Sequence, residues 1–280
     1  MRLIQFEAIA EAVASAAVDA ARVLPADVLA ALERARQHET FPRAQAILAD
    51  LIENARIARD DCMPLCQDTG LVVAFVRMGS GVRVEGGTIA AAINEGVRRG
   101  YQRGYLRKSV LGDPLRRVNT GDNTPAIIHF EPVEGDALAI DLMAKGGGSE
   151  NMSGVAMLAP SQGRQGVIEF VVNKVRTAGG NPCPPVVVGV GIGGTFELAA
   201  LLAKKSLLRP LDRPHPDPEL ARLEDDLLRE INALGVGPQG LGGDTTALGV
   251  HVETHPCHIA SLPVAVNIEC HAHRTRHIEL

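Results

Sequence analysis

The sequence predicts an α/β fold in which helices flank a mixed sheet and a helical segment leads the chain. Two observations carry this prediction. Apolar residues first recur at helical spacing, and after residue 60 they fall into short runs bounded by glycine and proline. Helical stretches lie between the short runs, and such interleaving of strands and helices is typical of α/β proteins.

Residues 1–60 are the predicted N-terminal helical segment. Ala, Leu and Ile recur there three and four residues apart in three stretches, which are broken at Pro25 and near Pro42. We expect residues 61–280 to form the main domain. No composition shift marks a sharp boundary, so residues 1–280 are read as one continuous domain.

The short apolar runs are predicted to be strands, and the periodic stretches between them to be helices. The predicted strands are 71–78, 125–130, 138–144, 186–190, 247–252 and 262–268. The predicted helices are 88–103, 164–177, 195–208 and 217–234.

Composition excludes several classes of protein. A chain of 280 residues that is 46% hydrophobic can bury a substantial core. Its net charge of -5 argues against nucleic-acid binding, since neutralising phosphates needs a clustered positive surface. No apolar run approaches the roughly 20 residues of a membrane span. The N-terminal stretch carries Glu7, Glu11 and Asp19, unlike a signal peptide, so we expect a cytoplasmic protein.

The five cysteines are poorly explained as disulfides, because their number is odd and the cytosol keeps thiols reduced. Cys66, Cys183 and Cys270 lie in predicted loops, separated by 117 and 87 residues. Only the tertiary fold could bring them to one metal, so spacing alone is a weak signal. The alternative is that each is a small buried hydrophobic residue, the commonest fate of a free cysteine.

The neighbours of these cysteines favour a metal site. Cys183 stands between prolines, which restrict the backbone, and Cys66 is followed in a predicted turn by the amide of Gln67 and the carboxylate of Asp68. Three thiolates would leave one iron of a four-iron cluster without a protein ligand, free to act as a Lewis acid.

Two cysteines compete for these ligand positions. Cys62 ends a helical stretch and is read as a core or surface thiol. Cys257 stands beside His255 and His258, and these three could bind zinc, so a zinc-dependent hydrolase is a rival interpretation.

The segment Gly189–Gly194 matches the dinucleotide-binding pattern G-x-G-x-x-G. That fingerprint also requires a second strand ending in an acidic residue about 20 residues on. Asp212 stands instead in a proline-broken connector. We therefore expect a tight strand-to-helix turn whose free amides face the cluster or an anion.

Three further features are ambiguous. Lys145 with the three glycines that follow suits an anion, and is equally compatible with a flexible turn and a solvated lysine. Arg107 and Lys108 follow a predicted helix, where charges are usually solvated. His258 lies in the stretch before the last predicted strand and is a candidate acid/base group.

Several longer motifs, in colinear order over nearly the whole chain, resemble the alpha part of class I fumarases and L(+)-tartrate dehydratases. His258, twelve residues before Cys270, fits the same pattern. The motifs are Pro-Leu-Cys-Gln-Asp-Thr-Gly at 64–70, Leu-Arg-Lys-Ser at 106–109, Asn-Thr-Gly-Asp-Asn at 119–123, Lys-Gly-Gly-Gly-Ser-Glu-Asn-Met-Ser at 145–153, Asn-Pro-Cys-Pro-Pro at 181–185 with the glycine run to 194, and Gly-Pro-Gln-Gly-Leu-Gly-Gly at 237–243.

The resemblance implies a [4Fe-4S] hydro-lyase whose cluster is held by three cysteines. By motif the cluster ligands would be Cys66, Cys183 and Cys270. The dicarboxylate site would be lined by Gln67, Asp68, Arg107, Gly147 and His258, with Asp68 and His258 handling the leaving or attacking water.

The resemblance also implies a partner and a substrate. The family's second part, with further cations and a threonine proposed as base, is absent, so a beta subunit is expected to complete the site. The form of the glycine loop at 145–151 resembles fumarase alpha subunits more than tartrate dehydratases, and it favours fumarate and malate, substrates of the tricarboxylic acid cycle. A non-catalytic scaffold subunit is the remaining alternative.

Overall fold

The computed structural model describes all 280 residues and has the predicted α/β architecture. Its helices are α1 Phe6–Arg22, α2 Ala26–His38, α3 Pro42–Asp60, α4 Ile89–Arg103, the single turn α5 Gly147–Glu150, α6 Gly163–Ala178, α7 Phe196–Ser206 and α8 Pro218–Asn232. Its strands are β1 Arg2–Gln5, β2 Leu71–Gly79, β3 Val82–Glu85, β4 Ile127–Val133, β5 Leu138–Lys145, β6 Gly154–Leu158, β7 Val186–Gly193, β8 Ala247–His255, β9 Leu262–Glu269 and β10 Thr275–Glu279.

The chain divides into two compact units, each built from segments distant in sequence. Unit 1 comprises residues 1–24, 55–147 and 274–280, and unit 2 comprises residues 25–54 and 148–273. The N-terminal helices are therefore shared between the units. The expectation of a helical segment over 1–60 followed by one domain over 61–280 stays a prediction.

Unit 1 is organised around a four-stranded mixed sheet in the order β10-β5-β2-β4. Strand β2 pairs with β4 in parallel and with β5 antiparallel. Alternate residues of β2 point into a core that also contains side chains of α1 and α4. A Cβ atom on Gly96 of α4 would lie 2.6 Å from the Ala10 carbonyl oxygen of α1, so the two helices pack with their backbones in near contact.

Unit 2 contains a second four-stranded mixed sheet, in the order β6-β9-β7-β8. Strand β7 pairs with β8 in parallel and with β9 antiparallel. On one face of this sheet, valine side chains of the strands pack against apolar side chains of α6 and α8. The opposite face is covered by α7.

Close packing of α7 explains the glycine pattern at 189–194. A Cβ atom on Gly189 would lie 2.0 Å from the Ala203 carbonyl oxygen, and one on Gly191 would lie 2.1 Å from that of Ala199. Only glycine permits this approach of a helix backbone to a strand. The Gly194 amide donates a hydrogen bond to the His255 carbonyl oxygen, so the expectation of free amides is wrong at this position.

All six predicted strands and the helical stretches are present, with ends that differ by a few residues. Strands β1, β3, β6 and β10 were not predicted, because each has only four or five residues. No helix has both the length and the apolar character needed to cross a membrane.

Candidate functional site

A tight turn before β2 holds Asp68 by its carboxylate. The Gly70 amide donates to Asp68 Oδ1 at 3.0 Å, and the Gly147 amide donates to Asp68 Oδ2 at 2.8 Å. The buried guanidinium of Arg274 donates through Nη1 to the Asp68 carbonyl oxygen. Backbone and side chain are thus both anchored, and each carboxylate oxygen keeps a further lone pair for a proton or a water.

Gly70 closes this turn at a position that excludes side chains. Its φ is +83°, and a Cβ atom there would lie 2.8 Å from the carbonyl carbon of Ala144 on β5. The turn therefore lies directly against the end of β5, where Gly147 follows two residues beyond Lys145. This proximity explains why the glycine loop supplies an amide to Asp68.

Cys66 precedes Asp68 in the same turn and is partly exposed. Its Sγ lies 3.2 Å from Oε1 of the exposed Gln67 side chain, so the thiol form can donate a hydrogen bond to that amide. The interpretation of Cys66 as a small buried hydrophobic residue is wrong.

Lys145 is not the solvated lysine of the flexible-turn interpretation. It is the last residue of β5, pairs in register with Leu71, and is only 2% exposed. The glycines after it begin the single turn α5. In contrast, Arg107 is exposed, as expected for a residue that follows a helix, and its carbonyl oxygen accepts a hydrogen bond from Thr69 Oγ1 at 3.0 Å.

In unit 2, Cys183 stands in an unusual backbone position. Its φ is +54°, uncommon for a residue with a side chain, and it is exposed in the loop that leads into β7. The amide nitrogen and side-chain Nε2 of Gln239 donate to the Pro184 carbonyl oxygen at 2.7 and 3.1 Å. Backbone packing of Gly240 on Gly180 brings the Gln239 segment to this loop.

Cys270 lies next to the Cys183 loop at the end of β9. His271, its chain neighbour, has Nδ1 2.9 Å from the Cys183 carbonyl oxygen. A carbonyl only accepts, so in the tautomer that carries its proton on Nδ1 the His271 ring donates this hydrogen bond. Cys270 is partly exposed, and its amide donates to Glu269 Oε1 at 3.3 Å. Unit 2 thus brings two of the three predicted cluster cysteines onto neighbouring loops.

The zinc alternative at residues 255–258 has no support. No group of three or more His, Cys, Asp and Glu side chains is arranged to hold one metal ion. His258 Nδ1 accepts from the Ala260 amide at 3.1 Å, and the Cys257 thiol contacts the Ser261 carbonyl oxygen. His258 lies in an exposed turn of unit 2, whereas Asp68 lies in unit 1.

Sequence reasoning assigned no role to Gln239, His271 and Arg274, which anchor the cysteine and aspartate loops. Gln239 and His271 lie inside or beside the quoted motifs, so their positions were a usable signal. Arg274 lies in the predicted loop that contains Cys270, but nothing in the sequence shows that this arginine is 2% exposed.

The family model described as "Fumarate hydratase (Fumerase)" matches residues 10–279. The chain belongs to the fumarate hydratase family. It is 45% identical to the "Putative L(+)-tartrate dehydratase subunit alpha" of Methanocaldococcus jannaschii, over 91% of this chain and 92% of that protein. It is 36% identical to the "L(+)-tartrate dehydratase subunit alpha" of Escherichia coli K12 and of Shigella sonnei, over 90% of this chain and 84% of each relative.

Membership of the fumarate hydratase family confirms the resemblance that the motifs predict. It also confirms a hydro-lyase of the alpha-subunit type, and so excludes the scaffold and zinc-hydrolase alternatives at the level of the family. The residues assigned to the cluster and to the substrate stay predictions.

Proposed function

We propose that this chain is the alpha subunit of a [4Fe-4S] hydro-lyase that reversibly hydrates fumarate to (S)-malate. The observation that carries the proposal is the Asp68 turn, in which a carboxylate fixed by two backbone amides lies two residues from a free, partly exposed cysteine. A positioned carboxylate beside a metal-binding thiol is the arrangement that proton transfer to or from a bound water needs.

The donor set fits an iron-sulfur cluster. Cys66, Cys183 and Cys270 form no disulfide, none is buried, and thiolate is the ligand that such clusters require. Each thiolate of a four-iron cluster binds a different iron, so these ligands need not meet the spacing of a single-ion site. With three protein thiolates, the bound cluster would supply one Lewis-acidic iron that coordinates the substrate's hydroxyl and carboxylate.

Asp68 is the proposed acid/base group. Amide hydrogen bonds to both of its oxygens fix its orientation. As a carboxylate it can accept a proton from water at one oxygen and return it during the reverse reaction. His258 is the second candidate. Because its Nδ1 accepts the Ala260 amide, its neutral ring carries the proton on Nε2, the nitrogen that would exchange protons with water.

Arg107, Gln67 and Gly147 are the proposed substrate residues. Arg107 offers an exposed guanidinium, which suits a bidentate contact with one carboxylate of the substrate. The Gly147 amide already donates to Asp68, so this glycine would act by orienting Asp68 and, having no side chain, by leaving room for the substrate. One arginine neutralises only one of the two charges of a dicarboxylate.

A beta subunit is therefore proposed to supply the remaining cations. The relatives are named as alpha subunits, which supports assembly into a hetero-oligomer. Tyr105, Leu115 and Val118 lie on either side of Arg107 in sequence and are 91%, 90% and 66% exposed. Exposed apolar side chains are typical of surfaces that a partner covers when they form one patch. We propose a cytoplasmic location, in keeping with five cysteines that form no disulfide.

L(+)-tartrate is the second candidate substrate, favoured by the names of the relatives at 36% and 45% identity. All are four-carbon dicarboxylates: fumarate has a double bond between its central carbons, malate carries one hydroxyl group there, and tartrate carries two. Fumarate stands first because the chain keeps the glycine-loop sequence at 145–151 that resembles fumarase alpha subunits.

The test is anaerobic co-expression of this chain with the small protein encoded next to it, taken as the candidate beta subunit. The purified complex is then assayed against fumarate, malate and tartrate. The proposal predicts turnover of fumarate and malate by the complex, with negligible turnover by the chain alone. Dehydration of tartrate with no activity on malate would move the assignment to the second candidate. Robust fumarate hydration by the isolated chain would contradict the need for a partner.

A further inference from the structure

Two segments that carry proposed site residues are tied together by a buried hydrogen bond. Thr69 follows Asp68 in the turn before β2, and its hydroxyl Oγ1 donates to the Arg107 carbonyl oxygen at 3.0 Å. Thr69 is buried, so water does not compete for this bond. Asp68, the acid/base candidate, is thus next in sequence to a residue that is hydrogen-bonded to the backbone of Arg107, the carboxylate-binding candidate, and all three lie in unit 1.

Asn123 makes a second connection between the same segments. Its Nδ2 donates to the Gly70 carbonyl oxygen at 3.2 Å, and its Oδ1 accepts from the Ser109 amide at 2.6 Å. Gly70 lies two residues after Asp68, and Ser109 lies two residues after Arg107. One side chain therefore spans both segments.

The surroundings of Asn123 show that this contact is built into the fold. The residue is 0% exposed, and its φ of +63° lies in the left-handed region, which asparagine tolerates better than most residues. A buried amide whose donor and acceptor are both used is costly to replace, since either partner left alone loses its hydrogen bond.

Tyr101 of α4 also contacts the turn, through its hydroxyl group. Its hydroxyl lies 2.7 Å from the Thr69 carbonyl oxygen and 2.9 Å from that of Gly70. Burial raises the pKa of Tyr101 above its ordinary value, so the hydroxyl keeps its proton and remains a donor to these carbonyls. The turn is therefore fixed from the helix as well as from the Arg107 segment.

We propose that Thr69 and Asn123 act as positioning residues that hold Asp68 and Arg107 in one geometry, so that substrate capture and proton transfer are set together. We call this pair the Thr69–Asn123 bridge. It rests on the proposed function, and neither residue is assigned contact with the substrate. Displacing a reacting group by about 1 Å can cost on the order of 100-fold in rate, so a bridge between the two groups affects both steps.

The test uses the co-expressed holoenzyme with two matched sets of variants. Thr69→Val removes the hydroxyl at nearly constant shape, and Thr69→Ser keeps it. Asn123→Gly removes both side-chain bonds, while glycine accepts the positive φ without strain. Thr88→Ala is the control, because it removes a different side-chain-to-backbone hydrogen bond of unit 1, the exposed one from the Ala91 amide at the start of α4.

Thr69→Val and Asn123→Gly are expected to lower kcat and raise KM together, with kcat/KM falling about 10- to 100-fold. Thr69→Ser is expected to restore both constants to within about threefold of the unaltered enzyme. Thr88→Ala is expected to lower thermal stability and leave both constants unchanged. Amide hydrogen exchange is expected to rise in residues 67–70 and 107–110 together in Asn123→Gly, and in neither segment in Thr88→Ala.

Unchanged kcat and KM in Asn123→Gly, in an enzyme that turns over fumarate or tartrate, would overturn the bridge and leave the proposed function intact. An equal fall in kcat/KM in Thr88→Ala would also overturn the bridge, because the effect would then come from general destabilisation of the protein. Inactivity of the unaltered holoenzyme would refute the proposed function alone. The exchange measurement would still decide the bridge, which fails if only one of the two segments responds.

Discussion

His251 in the middle of β8 is a buried histidine whose protonation opposes folding. It is 4% exposed, and neither ring nitrogen has a hydrogen-bond partner. Burial, with a smaller contribution from the positive charges of Arg209 and His273, lowers the pKa of His251 from 6.5 to about 3. The native state therefore holds a neutral imidazole, whereas the unfolded chain takes up a proton near its ordinary pKa.

The sign and size of the effect follow from this difference. Stability is fully present above about pH 6.5 and is lost as the pH falls, because only the unfolded state binds the proton in that range. Between pH 7 and pH 5 the loss is about 2 kcal/mol, at about 1.4 kcal/mol per pH unit below the ordinary pKa. The figure changes little as long as the native pKa lies well below 5.

The assay is urea unfolding followed by circular dichroism from pH 7 to pH 5. His251→Leu removes the titrating ring and should flatten the pH dependence of the free energy of unfolding by about 2 kcal/mol over this range. His38→Gln removes an exposed histidine of α2 and should keep the original slope. An unchanged slope in His251→Leu would refute the assignment of the acid sensitivity to this ring.

Three further predictions concern packing, chemistry and charge. Gly191→Ala places a Cβ atom 2.1 Å from a backbone oxygen of α7, so it should lower the free energy of unfolding by about 3 kcal/mol or abolish soluble expression. The control is Gly112→Ala, whose Cβ atom would meet no atom nearer than 3.8 Å. Its free energy of unfolding in urea should be within about 1 kcal/mol of the original. Asp68→Asn should lower kcat of the holoenzyme about 10²- to 10⁴-fold while the iron content stays constant, because the carboxamide keeps the shape but cannot accept the proton. Hydrogen bonds to Asp141 and Glu279 raise the pKa of His277, so its protonated ring stabilises the fold. His277→Gln should therefore lower the free energy of unfolding by under about 1 kcal/mol at pH 6, and should not change it once the pH exceeds the raised pKa. Thermal unfolding measured against pH checks both outcomes.

The elements predicted correctly are those whose residues carry the pattern locally. Four long helices and six strands have clear periodicity or clear Gly and Pro boundaries, and they are present. The short strand β10 was not predicted because Thr275–Glu279 is largely polar. Its strand form is stabilised by pairing with β5, whose partner residues run from Met143, opposite Thr275, to Ala139, opposite Glu279. Such pairing is a tertiary property that local propensity does not contain.

The glycine run at 189–194 shows how one pattern supports two physical causes. A dinucleotide turn and a helix packed on a strand both demand glycine at these spacings, and only the contacts of α7 decide between them. The same holds for Lys145, whose burial depends on strand β2 rather than on its own neighbours in sequence.

The candidate site was predictable where motif and chemistry coincide. Cys66, Asp68 and Gly147 were singled out from their loops, and the structure adds the hydrogen bond between the Gly147 amide and the Asp68 carboxylate. The supports at Asn123 and Arg274 were not predicted. Asn123 ends the quoted motif at 119–123, but a polar side chain in a loop gives no sign that it is buried and hydrogen-bonded.

Iron and sulfide content of anaerobically purified protein tests the central claim most directly. Serine in place of Cys66, Cys183 or Cys270 should each reduce bound iron and sulfide and remove the visible absorbance, since each would delete a cluster ligand. Serine in place of Cys62 or Cys257 should leave the content unchanged, because both are exposed thiols outside the proposed ligand set. A chain that binds no iron and sulfide, or one that loses them with Cys257 and retains them without Cys66, would contradict the account.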